Sequence, residues 1–358
     1  MTLAVMGRDW FNNLICSKIE KHHSLLFYVT EPADWVIKQI GDDIARNLKT
    51  QGLPKTLITT THKGIHNQII HFGSVNTFLG SKGFKKPHKT TKVVLTWFHV
   101  VPNDPRIRFA KVAQKYVEVI HTASTITRVK LIEIGIPEKK IAVVPLGVDL
   151  NIFKPVSVEE KQKIREEIGI PKDKIVIGSF QKDGAGWGEG LEPKWVKGPD
   201  IFVKVVEKLK KDYDIFILLL GPARGYVKRE LDKRGIPYKH IFLKNYLEIS
   251  NYYNALDLYL VTSREEGGPK AVLEAMATGI PLVSTKVGMA ADVIKEGYNG
   301  LLADVYDVEM LSEKARRILD DEKLIKKMVE NGLEIVKDYS WEKIATRYYK
   351  EIYKKVLR

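Results

Sequence analysis

The chain has 358 residues, of which 44% are hydrophobic and 28% are charged, a composition typical of a soluble globular protein with more than one domain. A single cysteine, Cys16, excludes a disulfide within the chain and favours a reducing compartment. No apolar run reaches the roughly 20 residues of a membrane span, and the first residues lack the pattern of a secretory signal. We therefore expect a cytoplasmic protein.

Positive charge is concentrated in the first part of the chain. The formal net charge is +14, and residues 1–150 contribute +10 of it. The densest run is SKGFKKPHKTTK, residues 81–92. Two interpretations are open: a solvated lysine-rich loop, or a surface that faces anions such as phospholipid headgroups, an acidic acceptor or nucleic acid.

Along the first part of the chain, short apolar runs alternate with segments whose apolar residues have helical spacing. A strand is predicted at 3–6, closed by a turn at Gly7, and helices are predicted over 9–22 and 34–50. Further strands are predicted at 25–30, 56–61, 68–73, 93–100, 118–124 and 141–147. Strands that alternate with helices indicate parallel βαβ units.

The segment GVDLNIFKPVSVEEKQ, residues 147–162, interrupts this rhythm and indicates a domain boundary. The alternation then restarts, with strands predicted at 175–180, 215–221, 240–244, 256–262, 280–285 and 300–303. The sequence therefore predicts two doubly wound, Rossmann-like α/β domains, 1–150 and 151–340, that face each other across a cleft. Ligands of such sheets bind beyond the carboxyl ends of the strands.

A glycine-rich loop leads into an apolar helix in the second half. Residues 265–275 read EEGGPKAVLEA, with the helix predicted over 269–278. Gly267 and Gly268 carry no side chains, and Pro269 suits the first helical position. A phosphate can therefore approach the free N–H groups at the N-terminus of this helix.

Glu274 is a charged residue among the apolar residues of this helix, ~7–8 Å along the axis from its start. A carboxylate at that depth can accept hydrogen bonds from the two hydroxyls of a ribose, while Glu266 lies at the mouth of the loop. The alternative is that Glu266 is a surface charge and that Glu274 is a core carboxylate paired with a lysine. We favour the functional interpretation because the glycine loop and the buried helix accompany the two glutamates.

Three segments resemble one enzyme family. EGGPKAVLEAMATGIPLVST, residues 266–285, resembles the signature of the retaining nucleotide-sugar glycosyltransferases of family 4, which have the GT-B fold. Residues 121–155 resemble the segment that joins the two domains of those enzymes, and residues 287–311 resemble the segment after the glutamate pair. Family members usually end with a helix that crosses back to the first domain, and 341–358 is placed to do so.

The resemblance implies a transfer of sugar from a UDP-, GDP- or ADP-sugar with retention of configuration, without a bound metal or other cofactor. It implies that Glu274 holds the ribose and that Glu266 contacts the donor sugar. The backbone of 267–270, from Gly267 to Lys270, would contact sugar and phosphate. Family members also supply an arginine near the end of the first strand of the second domain, where this chain has Ser179.

Lys182 and Lys197 are our candidates for the cations that stabilise the leaving diphosphate. The solvated-lysine alternative stays open for both. The loop between them, 183–196, contains Trp187 and Trp195 and is either a lid, an acceptor contact or a surface loop.

In the first domain, the resemblance implies that Gly7 lies close to the donor phosphates. It also implies that His99, predicted at the end of a strand, touches the transferred sugar. A histidine satisfied by backbone groups is the alternative for His99. His71 and His121 also end predicted strands, and we interpret both as structural.

Other functions remain as alternatives. One is a different GT-B enzyme, such as a nucleotide-sugar epimerase, and the other is a basic nucleic-acid-binding protein. The acceptor is not readable from the sequence, although a lipid-linked or anionic one fits the basic first domain. Because the first domain is basic, we also expect the protein to associate peripherally with the inner face of an anionic membrane.

Overall fold

A computed structural model describes residues 3–18, 25–32, 36–80, 82–186, 188–243 and 245–357. The chain divides into two compact units. Unit 1 comprises Met1–Leu146 together with Trp341–Arg358, and unit 2 comprises Gly147–Ser340.

The strands of the described residues are β1 (Leu26–Val29), β2 (Thr56–Thr59), β3 (Ile69–Phe72), β4 (Leu79–Gly80), β5 (Gly83–Phe84), β6 (Lys92–Thr96), β7 (Val119–Thr122), β8 (Ile141–Val143), β9 (Ile175–Phe180), β10 (Ile215–Leu220), β11 (Tyr238–Ile241), β12 (Leu258–Val261), β13 (Leu282–Thr285) and β14 (Leu301–Ala303). The α-helices are α1 (Leu3–Lys18), α2 (Val36–Thr50), α3 (Val75–Phe78), α4 (Ala110–Ala113), α5 (Thr125–Glu133), α6 (Val158–Ile168), α7 (Pro199–Leu209), α8 (Gly225–Lys233), α9 (Ile249–Asn254), α10 (Lys270–Ala277), α11 (Ala290–Val293), α12 (Val308–Asp320), α13 (Glu322–Ile335), α14 (Trp341–Tyr348) and α15 (Lys354–Val356).

Each unit is built on one six-stranded parallel sheet. The strand order is β2-β1-β3-β6-β7-β8 in unit 1 and β11-β10-β9-β12-β13-β14 in unit 2. All strand pairs within these two sheets are parallel. In each sheet the strands are added first on one side of the starting strand, β1 or β9, and then on its other side. This order confirms the predicted doubly wound α/β fold. In unit 2, β9 and β12 are neighbours, so the segments that follow them meet at one edge of the sheet.

The N-terminal prediction is wrong. Residues 3–6 do not form a strand, because Leu3–Lys18 is one helix. Leu, Ala and Met are strong helix formers, and a single glycine in a helix costs only about 1 kcal/mol. Gly7 therefore lies inside α1 and does not form a strand–helix turn, so the structure removes the reason for placing it beside a phosphate. Of the predicted helix over 9–22, the part beyond Lys18 lies outside the described residues.

The C-terminal segment packs within unit 1. Gln51 donates to the Glu342 carbonyl at 2.9 Å, and Thr346 donates to the Gln51 side chain at 2.7 Å. Tyr348 and Tyr353 of this segment are fully buried. Among the described residues, no helix combines the length and the apolar character that crossing a bilayer requires.

Candidate active site

The glycine loop and α10 form the centre of the candidate site in unit 2. Pro269 caps α10, which ends before Gly279 in a left-handed conformation (φ +73°). The loop is held by the turn at Gly288, where an added Cβ would stand 2.4 Å from the Glu266 carbonyl oxygen. The Met289 N–H donates to the Gly267 carbonyl at 3.0 Å in the same turn. The backbone ahead of α10 is therefore fixed by a close approach that only glycine allows.

The Glu274 carboxylate is buried, with 3% of the residue exposed. The Tyr253 hydroxyl donates to its Oε2 at 2.9 Å, and the Tyr246 hydroxyl donates to its Oε1. Lys270 lies one turn earlier, with its Nζ 3.7 Å from Oε1. Two phenols and a lysine thus offset the free-energy cost of burying this carboxylate.

Glu266 is buried as well, so it is not a surface charge. Its Oε1 accepts a hydrogen bond from Ser263 Oγ at 2.9 Å and forms an ion pair with Lys197 Nζ at 2.5 Å. Only 8% of the glutamate side chain and 20% of the lysine side chain are exposed. The structure therefore brings together two of the residues selected from the sequence, although 69 positions separate them.

Backbone contacts explain how Lys197 reaches Glu266. The Val196 carbonyl accepts hydrogen bonds from the N–H groups of Arg264 and Glu265 at 2.9 and 3.1 Å. Gly198 is left-handed (φ +59°), and an added Cβ there would stand 2.0 Å from the Thr262 carbonyl oxygen. The segment after β9 thus lies against the segment after β12, as the adjacency of these strands requires.

Lys194 is a cation of this site that the sequence reasoning missed. Burial lowers the pKa of the Lys194 ammonium; the charge of Lys197 lowers it further, Glu266 opposes the shift, and Lys182 adds a smaller lowering. Lys182, Lys197 and Glu266 are thus the charged groups that act on Lys194, and the four side chains together carry a formal net charge of +2. In the sequence, Lys194 is marked only by its position in the loop just before Lys197. No sequence pattern connects that position to Glu266.

The loop 183–196 is anchored to unit 2 by its backbone. Gly184 pairs with Pro193, and the Lys194 N–H donates to the Asp183 carbonyl at 2.7 Å. The Glu189 carbonyl accepts from the Gly225 N–H at 2.8 Å, at the start of α8. Trp187 lies outside the described residues, whereas the Trp195 ring lies 5.7 Å from the Arg264 guanidinium.

Arg224 comes close to the position where the sequence has serine in place of the expected arginine. Its guanidinium donates to the Ser179 carbonyl at 2.6 Å and to Ser179 Oγ at 3.2 Å. Its Nε lies 3.0 Å from Asp183 Oδ1, and both side chains are fully buried. Burial raises the pKa of Asp183, and the charge of Arg224 opposes that shift. This pair therefore joins β9 to the loop and leaves no charge exposed to a ligand.

His99 of unit 1 does not end a strand, which corrects its predicted position. Strand β6 stops at Thr96, and the Trp97 indole N–H donates to the His99 carbonyl at 2.7 Å, turning the chain. His99 is half-buried in the segment that follows the strand.

Residues 191–334 match the family described as Glycosyl transferases group 1. This segment of the chain is therefore similar to the group 1 glycosyltransferases. The match contains the glycine loop, both glutamates and the two lysines Lys194 and Lys197.

Curated glycosyltransferases are similar to this chain over part of their length. An uncharacterised glycosyltransferase of Methanocaldococcus jannaschii is 34% identical over 150 residues, which cover 41% of this chain and 42% of the relative. A D-inositol 3-phosphate glycosyltransferase of Corynebacterium efficiens is 27% identical over 222 residues, covering 58% and 49%. The chain thus spans about half the length of the curated relatives it matches.

Solved structures share the fold over almost the whole chain. Anabaena HepE in complex with UDP and glucose aligns with a TM-score of 0.74 at 17% identity, covering 93% of this chain and 100% of that one. A sucrose-phosphate synthase of Thermosynechococcus elongatus aligns with a TM-score of 0.64 at 16% identity, covering 99% and 93%. These similarities confirm the predicted GT-B fold.

Proposed function

We propose that this protein is a glycosyltransferase that moves a sugar from a nucleoside-diphosphate donor bound at α10 to an acceptor. The observation that carries the proposal is the buried Glu274 carboxylate, held by two phenols behind a glycine loop. A carboxylate in this position can accept hydrogen bonds from ribose hydroxyls, while the loop accepts the diphosphate at the helix N-terminus.

The lysine cluster supports the chemistry of the leaving group. When the bond between the anomeric carbon and the phosphate oxygen breaks, negative charge grows on the departing diphosphate. Lys182, Lys194 and Lys197 outnumber Glu266 and supply a net positive charge without a metal ion. We propose, by the family resemblance, that the transfer retains the anomeric configuration.

UDP is the nucleotide that we propose to test first. Anabaena HepE, which shares the fold, is described in complex with UDP and with UDP-glucose. GDP and ADP are the other two candidates, because a GT-B fold alone does not select the base.

The donor site is tested by calorimetry with UDP, GDP and ADP on the full chain. Glu274→Gln should weaken binding of the preferred nucleotide by about 1–3 kcal/mol, because an amide is a weaker acceptor than a carboxylate. Glu313→Gln, on the exposed surface of α12, is the matched control and should bind like the parent. Equal affinity of parent and Glu274→Gln would leave the glutamate a structural residue.

Two further measurements address the finer chemistry. Activity should survive an excess of chelator, and a strict need for manganese or magnesium would refute the metal-free mechanism. Proton NMR of the fresh product should give the same anomeric configuration as the donor, and an inverted product would refute retention.

We also propose that exposed lysines bring the protein to an anionic membrane. Lys82, Lys85, Lys86, Lys89 and Lys92 are all exposed, and each can add ~1 kcal/mol near anionic lipid. Phe84 is not a membrane anchor here, because its ring packs 5.2 Å from the Tyr116 ring within unit 1. Changing all five lysines to glutamine should abolish sedimentation with phosphatidylserine vesicles at low salt. If the parent ignores these vesicles, the membrane proposal is wrong.

A further inference from the structure

Unit 1 contains a cavity of about 440 Å³ that lies outside the donor site, and Lys86 of its lining also belongs to the lysines proposed to face the membrane. Six polar side chains line it: Asn13, His62, Lys63, His66, Lys86 and His88. They come from three separate parts of the chain, which are α1, the segment after β2 and the segment before β6. A volume of this size lies in the usual range of small-ligand pockets.

The wall formed by residues 61–66 is held against α1. The Asn12 side-chain amide donates to the carbonyls of Thr61 and Lys63 at 3.4 and 3.2 Å. Gly64 is left-handed (φ +77°), and an added Cβ would stand 2.3 Å from the Asp9 carbonyl oxygen. The lining residues of this segment are therefore positioned before any ligand arrives, which lowers the entropic cost of binding.

The lining carries positive charge and no carboxylate among its residues. Burial lowers the pKa of His62, the charges of Lys85 and Lys63 lower it further, and Asp9 of α1 opposes them. The imidazole also donates a hydrogen bond to the Lys86 carbonyl. Since lysine charges from two segments act on one imidazole and a single carboxylate opposes them, an anion in the cavity gains favourable interactions on several sides.

Hydrogen bonds fix the direction in which His88 donates. The Thr90 backbone N–H donates to His88 Nδ1 at 3.4 Å, and the Thr90 hydroxyl lies 2.8 Å from the same nitrogen, so Nδ1 is an acceptor. The proton of the neutral imidazole then lies on Nε2, where it is a donor. The His66 ring lies 6.1 Å from the His88 ring. Within the described residues, no group of three or more His, Cys, Asp or Glu side chains could hold a metal ion.

We propose that this cavity is a binding site for a phosphate group, with His88, Lys63 and Lys86 as its donors and with His62 as part of its wall. Imidazole and ammonium donors make charge-assisted hydrogen bonds to phosphate oxygens. The same chemistry fits a soluble phosphate monoester and the headgroup of phosphatidate. The proposal does not depend on the donor site of unit 2.

The test measures binding of glycerol 3-phosphate by calorimetry and of phosphatidate vesicles by sedimentation, with the full chain. The variant His88→Ala should weaken phosphate binding by about tenfold, because the charge-assisted hydrogen bond from its Nε2 is lost. Lys89→Gln/Lys92→Gln removes charge from the same segment without touching the cavity, and its affinity for glycerol 3-phosphate should stay within about twofold of the parent.

The outcomes separate the two sources of phosphate. Binding of glycerol 3-phosphate that the histidine variant loses supports a soluble ligand. Binding of phosphatidate vesicles alone, lost in the same variant, supports a lipid headgroup. Absence of binding to either probe, or equal binding by the histidine variant and the parent, would overturn the proposal. Unchanged affinity of the histidine variant for UDP, GDP or ADP would show that it is folded and that the donor site is independent.

Discussion

Lowering the pH from 7 to 5 should destabilise unit 1, because two of its buried histidines fold as neutral imidazoles. Tyr353 donates to His71 Nδ1 at 2.8 Å, and His71 Nε2 donates to Thr96 Oγ1 at 2.7 Å. Thr96 donates to His121 Nδ1 at 2.8 Å, and His121 Nε2 donates to the Val144 carbonyl at 2.8 Å. This direction follows from the carbonyl, which can only accept. An added proton on either ring leaves one buried donor of the chain without its acceptor.

The pKa of His121 sets the magnitude. Burial lowers it from 6.5 to about 4, although the hydrogen bond to Val144 opposes the shift. Burial, and then the neighbouring His121, lower the pKa of His71 well below its ordinary value. A folded pKa below the unfolded one means that the unfolded chain takes up the proton first. The stability is therefore complete above pH ~6.5 and is lost as the pH falls toward ~4, with about 2 kcal/mol gone by pH 5 from His121 alone.

The single cysteine allows the unfolding of unit 1 to be measured separately from that of unit 2. Cys16 is buried in the apolar core of that unit, so its reaction with a pyridyl disulfide reagent in urea reports unfolding there. The midpoint urea concentration should fall as the pH is lowered from 7 to 5, and the linear extrapolation gives the free energy of unfolding at each pH.

A matched pair of variants isolates the cause. His121→Gln keeps a donor toward Val144 and an acceptor toward Thr96 but cannot titrate, so its unfolding free energy should depend less steeply on pH. His240→Gln changes a histidine of unit 2 and should leave the steep dependence of unit 1 intact. If the parent and His121→Gln show the same slope, the neutral-histidine argument is wrong.

Three further outcomes concern the candidate active site. Lys194→Ala and Lys197→Ala should each lower turnover with a smaller effect on donor binding, because they act on charge that grows in the transition state; full turnover in both would reject the cluster. Tyr246→Phe removes a donor that occupies Glu274 Oε1, so calorimetry should show UDP binding tightened by about 1 kcal/mol, and weaker binding would instead give Tyr246 a direct role in holding the ligand. Gly288→Ala should lower the free energy of unfolding of unit 2 by about 1–3 kcal/mol, seen as a lower thermal midpoint, and should weaken donor binding. A variant as stable as the parent would refute the tight turn.

Local sequence determined the elements around the glycine loop. Apolar runs bounded by turn residues predicted β9, β12 and β13 close to their observed positions, because burial on both faces of a parallel strand leaves a continuous hydrophobic pattern. The two glycines, the proline and Glu274 all lie within three helical turns. Their relation is therefore fixed by the geometry of one helix and one loop, and it is readable from spacing alone.

Short apolar runs near the ends of elements were less informative. Residues 3–6 were predicted as a strand but form helix, because four apolar residues in a row do not distinguish a strand from a helical turn. Likewise, the apolar pattern of 93–100 continues past the last residue of β6, since Trp97 and Phe98 are buried beyond it, and this moved the expected position of His99.

Only the tertiary structure decided which distant residues meet. Lys197 reaches Glu266 because β9 and β12 are neighbours in the sheet, and nothing in a local pattern states that adjacency. The hydrogen-bonded chain from Tyr353 through His71 and His121 likewise depends on three strands and a C-terminal segment. Each residue alone reads as an ordinary core or surface residue, because pairing across a parallel sheet joins positions whose separation in sequence the local backbone does not encode.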